Sequence, residues 1–394
     1  MTTDFFTYDD TYSEEQRAVR DELRSFVDAE ILPHVGQWCD EGHFPVELAR
    51  RFGADLGVLG STFPEEYGCA GTDYTTYGLI AQELERADTG FRSFASVQSS
   101  LVMYPIFAFG SEEQRKTYLP KLASAEWIGC FGLTEPYGGS NPGGMQTRAV
   151  DDGDSWVLNG EKMWITNGGI SDVAVVFAQT GEIGDAKGVR GFLVHKDDKG
   201  YSAPEIKKKI GLKCSVTSSL VMQDCRIPKD RLLPETAGGL KHALMCLNNA
   251  RFGICYGALG AALACYEEAR DFTASRAPFG RPLNETQLIQ GKLATTLTEI
   301  TLMQGMARRL GELKDTGKIT PQQVSMCKMH NVRTALNIAT RCREMLGASG
   351  ITYEFASGRH ETNLISVDTY EGTHDIHMLI LGNTITGKPA FTTG

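Results

Sequence analysis

The spacing of apolar residues changes twice along this chain of 394 residues, and no other feature constrains its fold as strongly. Over residues 13–122 the apolar residues recur with helical spacing, and Ser13-Glu14-Glu15-Gln16 has the composition of a capped helix start. Over residues 127–234 the period approaches two and β-branched residues form short runs, which is typical of strands. From about residue 238 the helical period returns. The chain is therefore predicted to be mainly α with a middle β domain.

The C-terminal region carries a clear amphipathic pattern. Apolar residues follow one another at intervals of three or four at Leu293, Leu297, Ile300, Met303, Met306 and Leu310. This spacing places them on one helix face, and a break at residues 314–321 suits an antiparallel bundle. We expect three domains: an N-terminal helical domain (1–125), a middle β domain (126–237) and a C-terminal helical bundle (238–394).

The β region contains one strong local turn signal. Asn159-Gly160 lies within the apolar run 156–165, and this dipeptide tolerates the positive φ angles that a type I′ turn needs. The sequence therefore predicts a β-hairpin at residues 159–160. Residues 173–177 and 191–195 are predicted to form further strands.

Composition limits the partners and the compartment. The 39 basic and 49 acidic residues give a formal net charge of −10, a poor match for nucleic acid. No run of about 18 uncharged apolar residues is present, which predicts no membrane span, and the acidic, aromatic first ten residues predict no targeting peptide. The ten cysteines are scattered without a CxxC pair, as expected for reduced thiols in the cytoplasm.

Several common catalytic motifs are absent from the sequence. It contains no GxxxxGK[ST] loop, no GxGxxG at the start of a βαβ unit, no HExxH and no GxSxG. His374, Asp375 and His377 have a spacing that permits metal binding, but no third group of ligands accompanies them. We therefore predict no metal site and expect polar contacts at a helix start.

The first candidate functional segment runs from Phe131 to Pro142. A predicted strand leads into a glycine-rich turn that carries hydroxyl groups and free backbone N–H groups. Such a turn can approach a planar ligand or a pyrophosphate closely. Taken alone, the segment is more typical of an ordinary surface turn.

The second segment is Tyr370-Glu371-Gly372-Thr373, followed by residues 374–377. A carboxylate held against apolar surroundings at a helix start has a raised pKa, which suits a general base. Gly372 would let the backbone N–H of Glu371 approach a ligand oxygen. On its own, the pattern is more typical of a simple capped helix start.

Together, the two segments resemble the acyl-CoA dehydrogenase family, and the likeness covers essentially the whole chain. Further stretches match the family in order: 164–166, 249–253, 276–280, Gln287 and 344–347. Within the family, the glutaryl-CoA dehydrogenase branch is matched most closely, by residues 96–103, 288–290 with 292–294, and 369–377 with 379–382. The resemblance implies a central β-barrel or sandwich and a C-terminal four-helix bundle.

The resemblance also implies an FAD site between the middle domain and the C-terminal bundle of a homotetramer. Thr134 and Thr166 would bond the flavin ring, Trp164 would pack on it, and Arg276 and Gln287 would come from a neighbouring subunit. The implied cofactor residues are Phe131, Leu133, Thr134, Ser140, Trp164, Ile165, Thr166, Arg276, Phe279, Gln287, Glu344, Gly347, Thr373, Asp375 and Phe391.

The implied reaction is α,β-dehydrogenation of an acyl thioester. Glu371 would remove the α-proton, a hydride would pass to the flavin, and an electron-transfer flavoprotein would take the electrons. Arg92 with Ser96 would bind the distal carboxylate of glutaryl-CoA, whose oxidation and decarboxylation give crotonyl-CoA and CO2. The implied substrate residues are Glu85, Arg92, Ser93, Ser96, Ser140, Asn249, Arg251, Tyr370 and Gly372.

The sequence departs from the family pattern near the cofactor and the carrier end of the substrate. Asn141 stands where the family has aspartate, Ala348 where it has glycine, Pro278 is unusual, and loop 213–218 lacks a glycine. These departures leave open a second hypothesis, in which the chain is a related enzyme that acts on a carrier-protein-bound or other dicarboxylyl thioester without decarboxylation. A non-enzymatic helical scaffold is a third hypothesis, but a scaffold has no need of Glu371.

Overall fold

The structure is a computed structural model that describes residues 3–390. Its N-terminal part is helical, and its first helix begins as the sequence predicts. The Ser13 hydroxyl accepts from the Gln16 N–H, and the Gln16 side chain accepts from the Ser13 N–H. The helices are α1 (Glu14–Phe26), α2 (Val35–Glu41), α3 (Val46–Ala54), α4 (Tyr74–Ala87), α5 (Thr89–Ser96), α6 (Tyr104–Phe109) and α7 (Glu112–Ala123).

A mixed sheet follows the N-terminal helices. Its strands are β1 (Gly129–Gly132), β2 (Arg148–Asp151), β3 (Ser155–Thr166), β4 (Val173–Gln179), β5 (Val189–His195), β6 (Tyr201–Ser202) and β7 (Thr217–Pro228). Within the described residues the strand order is β1-β4-β2-β3-β7-β6, and β5 pairs with β4. Strands β4 and β5 confirm the predictions at 173–177 and 191–195. Every residue of β4 is buried, because packed layers cover both faces of that strand.

The predicted hairpin at residues 159–160 is wrong. Strand β3 continues through Asn159-Gly160 and pairs with β7, with a bulge between Leu158 and Gly160. Gly160 has φ +146°, and a Cβ there would lie 2.5 Å from Oγ1 of Thr147. The Asn159 side chain bonds Asp224 on β7 twice, at 2.8 and 3.1 Å. The dipeptide therefore serves a bulge, which uses the same conformational freedom as a turn.

The C-terminal part consists of long helices. They are α8 (Lys241–Ser275), α9 (Gln287–Asp315), α10 (Pro321–Leu346), α11 (Ala356–Thr369) and α12 (His374–Thr386). The predicted apolar face of α9 is confirmed, because Ile300, Met303 and Leu310 are buried against α8 and α10 while the other three residues pack beside them. Within residues 3–390, no helix has the length and apolar content needed to cross a membrane.

The N-terminal and C-terminal helices meet where α4 packs closely on α8. A Cβ at Gly260 would lie 2.0 Å from the carbonyl oxygen of Gln82, and one at Gly78 would lie 2.7 Å from the Tyr256 ring. Glycines at these positions bring the two helices together. This approach places the polar residues of α4 and α5 against the C-terminal bundle.

Gly160→Ala tests the bulge. We expect the free energy of unfolding to fall by about 1–3 kcal/mol, because alanine is strained at this φ and its methyl group meets Thr147. Chemical denaturation measures the change. The control is Gly291→Ala in α9, where nothing lies within 4 Å of the added Cβ, and helix propensity predicts a gain of up to about 1 kcal/mol. Equal stability of the two variants would contradict this account.

Candidate active site

Glu371 lies in a strained turn between α11 and α12. Its φ is +54° and that of Gly372 is +91°, both in the left-handed region. Helix α12 starts directly afterwards, with the Thr373 hydroxyl accepting from the Ile376 N–H at 3.2 Å. A Cβ at residue 372 would lie 2.9 Å from Nε2 of His377, so glycine is required there for space as well as for conformation.

Two cations hold the three consecutive carbonyls of this turn. Nζ of Lys328 donates to the carbonyl oxygens of Tyr370 and Gly372, at 2.6 Å each, and Nε of Arg251 donates to that of Glu371 at 2.7 Å. The Lys328 side chain is only 1% exposed. Among residues 3–390, no acceptor bonds the N–H of Glu371 or of Gly372. The turn therefore keeps its carbonyls occupied and leaves two N–H groups available.

The Glu371 carboxyl group combines a raised pKa with an oxygen that has no hydrogen-bond partner in the described chain. Burial raises its pKa, while the nearby cations Arg92, Arg251 and Lys328 act in the opposite direction. Its Oε2 is buried and has no hydrogen-bond partner among the described residues. The direction of the pKa shift is the one predicted from the sequence, but the surroundings carry three cations and are not simply apolar. An open acceptor site on a raised-pKa carboxylate suits proton abstraction.

A buried ion pair lies beside the turn. Nε of Arg92 on α5 bonds Oε2 of Glu85 on α4 at 2.6 Å, and the same guanidinium donates to the Tyr370 hydroxyl. Arg92 is 1% exposed and its pKa is raised, because the Glu85 and Tyr370 partners outweigh the opposing effect of burial. The second oxygen of Glu85 accepts from the Thr89 hydroxyl at 3.0 Å. The structure thus brings Glu85, Arg92, Tyr370 and Glu371 together.

A glycine on α8 makes room for this pair. A Cβ at Gly257 would lie 2.0 Å from Oε2 of Glu85 and 3.1 Å from Nε of Arg92. Sequence reasoning missed Gly257, since a glycine inside a long helix carries no local signal of what it faces. The pair therefore depends on the close approach of α4, α5 and α8.

A small pocket lies beside Tyr77, a residue close enough to Arg92 and Glu371 for their charges to act on its hydroxyl. Its lining is mostly hydroxyl-bearing and includes Tyr74, Tyr77, Ser99, Ser100, Tyr104 and Asn249. The Tyr77 hydroxyl shares a hydrogen bond of 2.9 Å with Ser100. The predicted substrate residue Asn249 accepts from Nζ of Lys314 at 2.6 Å, while Ser93 and Ser96 are buried on α5.

The predicted flavin-ring residues lie around two strand ends. Thr134 follows β1, and its carbonyl oxygen accepts from the Met163 N–H of β3 at 2.9 Å. Trp164 sits at a bulge in β3 with φ +64° and is 56% exposed, and Thr166 ends the strand. Phe131, Leu133 and Ile165 are the buried neighbours of this group.

A buried ion pair that sequence reasoning missed supports the turn after β1. Nζ of Lys162 bonds Oε1 of Glu135 at 2.8 Å and the Leu133 carbonyl oxygen at 3.2 Å. Glu135 also accepts from the backbone N–H groups of Gln146 and Thr147. The glycine-rich stretch that follows is open, and Ser140 is exposed. The signal for this ion pair in the sequence is Glu135, a charged residue inside the turn.

Other predicted cofactor residues do not join this group within the described chain. Arg276, Phe279 and Gln287 are exposed around the α8–α9 connection, with Phe279 91% exposed. Glu344 pairs with Lys292 at 2.7 Å, and Gly347 has φ +61° at the end of α10. Asp375 is exposed in the first turn of α12. Phe391 lies outside the described residues.

His374 and His377, the two histidines beside Asp375, contact different parts of the chain. His374 approaches Asp368 at 3.7 Å, whereas His377 is buried under the 370–372 turn. Among the described residues, no group of three or more potential ligands could hold a metal ion.

Comparison with known proteins adds an independent finding. Models of the acyl-CoA dehydrogenase N-terminal, middle and C-terminal domains match residues 13–126, 130–225 and 237–386. Human mitochondrial short-chain specific acyl-CoA dehydrogenase is 36% identical over 91% of this chain and 87% of its own length.

Solved structures of acyl-CoA dehydrogenases are also similar to this chain. A glutaryl-CoA dehydrogenase from Mycobacterium smegmatis in complex with FADH2 has a TM-score of 0.95 and 50% identity, covering 98% of both chains. Butyryl-CoA dehydrogenase from Megasphaera elsdenii has a TM-score of 0.91 and 30% identity, covering 95% of this chain and 98% of its own.

Glu85→Gln tests the buried ion pair. We expect the free energy of unfolding to fall by about 3 kcal/mol, because Arg92 would keep a buried charge without its carboxylate partner. Denaturant titration measures the loss. The control is Glu112→Gln, which removes a carboxylate from exposed pairs with Arg115 and Lys116 and should leave the midpoint almost unchanged. Similar small losses of unfolding free energy in both variants would show that the buried Arg92 guanidinium does not need Glu85 as its counter-charge.

Proposed function

The chain belongs to the acyl-CoA dehydrogenase family, a family of FAD-dependent enzymes, and from this premise we propose that its substrate is glutaryl-CoA. The proposed products are crotonyl-CoA and CO2, with electrons leaving to an electron-transfer flavoprotein. One observation carries the choice of substrate: a buried guanidinium, Arg92, lies beside Tyr370, the neighbour of Glu371.

The chain offers a suitable surface for the flavin. Trp164 exposes more than half of its surface on a strained strand end, and the hydroxyls of Thr134 and Thr166 have no hydrogen-bond partner within residues 3–390. These features support Thr134, Trp164 and Thr166 as the residues that hold the ring. Bound FAD supplies the hydride acceptor. Phe279, exposed on the α8–α9 connection with Arg276 and Gln287, fits a contribution to a neighbouring subunit's cofactor in a homotetramer.

Glu371 is proposed as the base that takes the α-proton. The open Oε2 can accept the proton, and the raised pKa makes the carboxylate a stronger base than an exposed one. The α-carbanion is stabilised by charge on the thioester oxygen. The unpaired N–H groups of Glu371 and Gly372 can bind that oxygen.

Arg92 is proposed to select a dicarboxylic acyl chain. Its Nη1 has no partner among the described residues, and the neighbouring Ser96 hydroxyl is buried and also lacks one. An unpaired buried hydroxyl such as that of Ser96 is costly, and an anionic group at the far end of the acyl chain would pair with it and with Nη1 of Arg92. An apolar chain end would leave them unpaired.

Decarboxylation follows from the position of that carboxylate. Once the α,β double bond has formed, loss of CO2 from the γ-carbon leaves a dienolate conjugated with the thioester. The dienolate then takes up a proton. Glu371, which was protonated in the first step, can supply it. Tyr370 and Glu85, which contact Arg92, are proposed to tune this step.

Anaerobic mixing of the FAD-loaded enzyme with glutaryl-CoA tests the substrate. The proposal predicts loss of the visible flavin absorption together with one CO2 for each flavin reduced. Loss of absorption without CO2 would favour a dehydrogenase that does not decarboxylate, acting on another or a carrier-bound dicarboxylyl thioester. No change with any acyl thioester would contradict the proposed dehydrogenation.

Glu371→Gln should retain bound flavin and lose turnover by about 10³-fold, because the amide cannot accept the α-proton. In the unmodified enzyme the base is active when ionised, so turnover is expected to fall as the pH drops through the raised pKa of Glu371. Flavin absorption and kcat between pH 5 and 8 are the measurements. Glu112→Gln serves as the control, and near-normal turnover of Glu371→Gln would refute the assignment.

Arg92→Met should lower kcat/KM for one substrate much more than for another. We expect kcat/KM for glutaryl-CoA to fall by about 10²-fold or more, because the distal carboxylate would lose its cation in a buried site. The value for butyryl-CoA should change far less. Arg24→Met is the matched control, since it also removes a cation from a buried carboxylate, Glu83, outside the site. Equal losses for both substrates would contradict a role for Arg92 in selecting the carboxylate.

A further inference from the structure

Lys328 is a buried cation that the proposed reaction does not use as an acid or a base. It projects from α10 and is enclosed under the turn that carries Glu371. We propose that Lys328 is a positioning residue, which fixes the 370–372 turn so that the Glu371 carboxylate and the free N–H groups of the turn face the thioester. This inference rests on the proposed function and adds a residue to it.

The first argument is conformational. Glu371 has φ +54°, a conformation that an L-amino acid adopts only at an energetic cost, so surrounding contacts must hold it. Lys328 binds the two outer carbonyls of the turn, those of Tyr370 and Gly372, at 2.6 Å each. These bonds fix the peptide groups on either side of the residue that carries the base.

The second argument is that Arg251 cannot replace Lys328. Arg251 binds only the middle carbonyl, that of Glu371, and shares its guanidinium with Asn248 at 3.3 Å. Without Lys328, two carbonyls would lose the donor that the described chain provides for them. Carbonyls that lose their donors in this half-buried turn are destabilised, so the turn would rearrange to find other partners. A rearrangement at residue 371 moves the base away from the α-carbon.

The third argument is electrostatic. The Lys328 charge lowers the pKa of Glu371 against the upward effect of burial, and burial lowers the pKa of Lys328 itself to about 8. Removing this charge should therefore raise the pKa of Glu371 further. The other charged or titratable groups that interact with this pair are Tyr77 from α4, Arg92 from α5, Arg251 and Cys255 from α8, Asp368 from α11, Tyr370 in the turn and His377 from α12.

Three substitutions separate positioning from simple packing. Lys328→Met removes both the charge and the donors, Lys328→Gln keeps N–H donors without the charge, and Lys328→Arg keeps both. Lys229→Met is the control. Lys229 is a partly buried lysine that pairs with Asp151 and lies over the Trp156 ring, at the end of β3 opposite Trp164 and Thr166.

The first measurement is exchange of the thioester α-protons for deuterium in D2O. FAD-loaded enzymes are compared under anaerobic conditions with glutaryl-CoA and butyryl-CoA, alongside flavin content and thermal midpoint. We expect Lys328→Met to slow exchange by about 10²-fold at saturating substrate, with flavin retained. Lys328→Arg should recover most of the rate, and Lys229→Met should leave it unchanged.

The second measurement follows the Glu371 carboxyl group without substrate. Its infrared carboxyl band is identified by its loss in Glu371→Gln and titrated between pH 4 and 9. We expect a higher pKa in Lys328→Gln than in the unmodified enzyme, with no change in Lys229→Met. This titration applies even where Lys328→Met does not fold.

The outcomes distinguish the inference from the proposed function. Exchange in Lys328→Met within twofold of the unmodified enzyme would overturn the positioning role. An unshifted Glu371 pKa in Lys328→Gln would overturn the electrostatic part. Absence of exchange in the unmodified enzyme would instead contradict the proposed base, whatever the infrared titration shows.

Discussion

The buried contact between the Arg92 guanidinium, the Glu85 carboxylate and the Tyr370 hydroxyl joins the N-terminal helices to the turn that carries Glu371. A guanidinium in this position is tolerable only with a close counter-charge, and Gly257 provides the space for that pair. The same contact leaves one side of the guanidinium without a partner in the described chain. The interior of the protein therefore holds a cation that is stable and still able to bind an anionic ligand.

Strained backbone occurs at the proposed flavin site and also at the proposed base. Trp164 and Glu371 have φ angles of +64° and +54°, and neither is glycine. A bulge in β3 holds the first, and the cations Lys328 and Arg251 hold the second. Such strain persists only where neighbouring groups determine the conformation. Here the surroundings direct the indole outward on the strand end and keep the carboxylate in the interior.

The sequence predicts the three-zone fold well, because the period of apolar residues reports which faces are buried. It fails at Asn159-Gly160, where a dipeptide that permits a turn is used in a bulge, since propensity describes local conformation and not strand pairing. Glu371 and Arg92 become candidates through resemblance to a family. Lys328 and Gly257 could not be identified, because their roles depend on helices that meet only in the folded chain. A weak signal for Lys328 exists, since it lies four residues from both Val324 and Val332 on the buried face of α10.

The account depends on one acyl chain reaching from the base to the buried guanidinium. A crystal structure of the FAD-loaded Glu371→Gln variant with glutaryl-CoA bound measures this most directly, because the substrate is not consumed. The account predicts the distal carboxylate within hydrogen-bond distance of Arg92 and Ser96, and the α-carbon beside residue 371. A distal carboxylate in solvent, with Arg92 bound only to Glu85 and Tyr370, would contradict it.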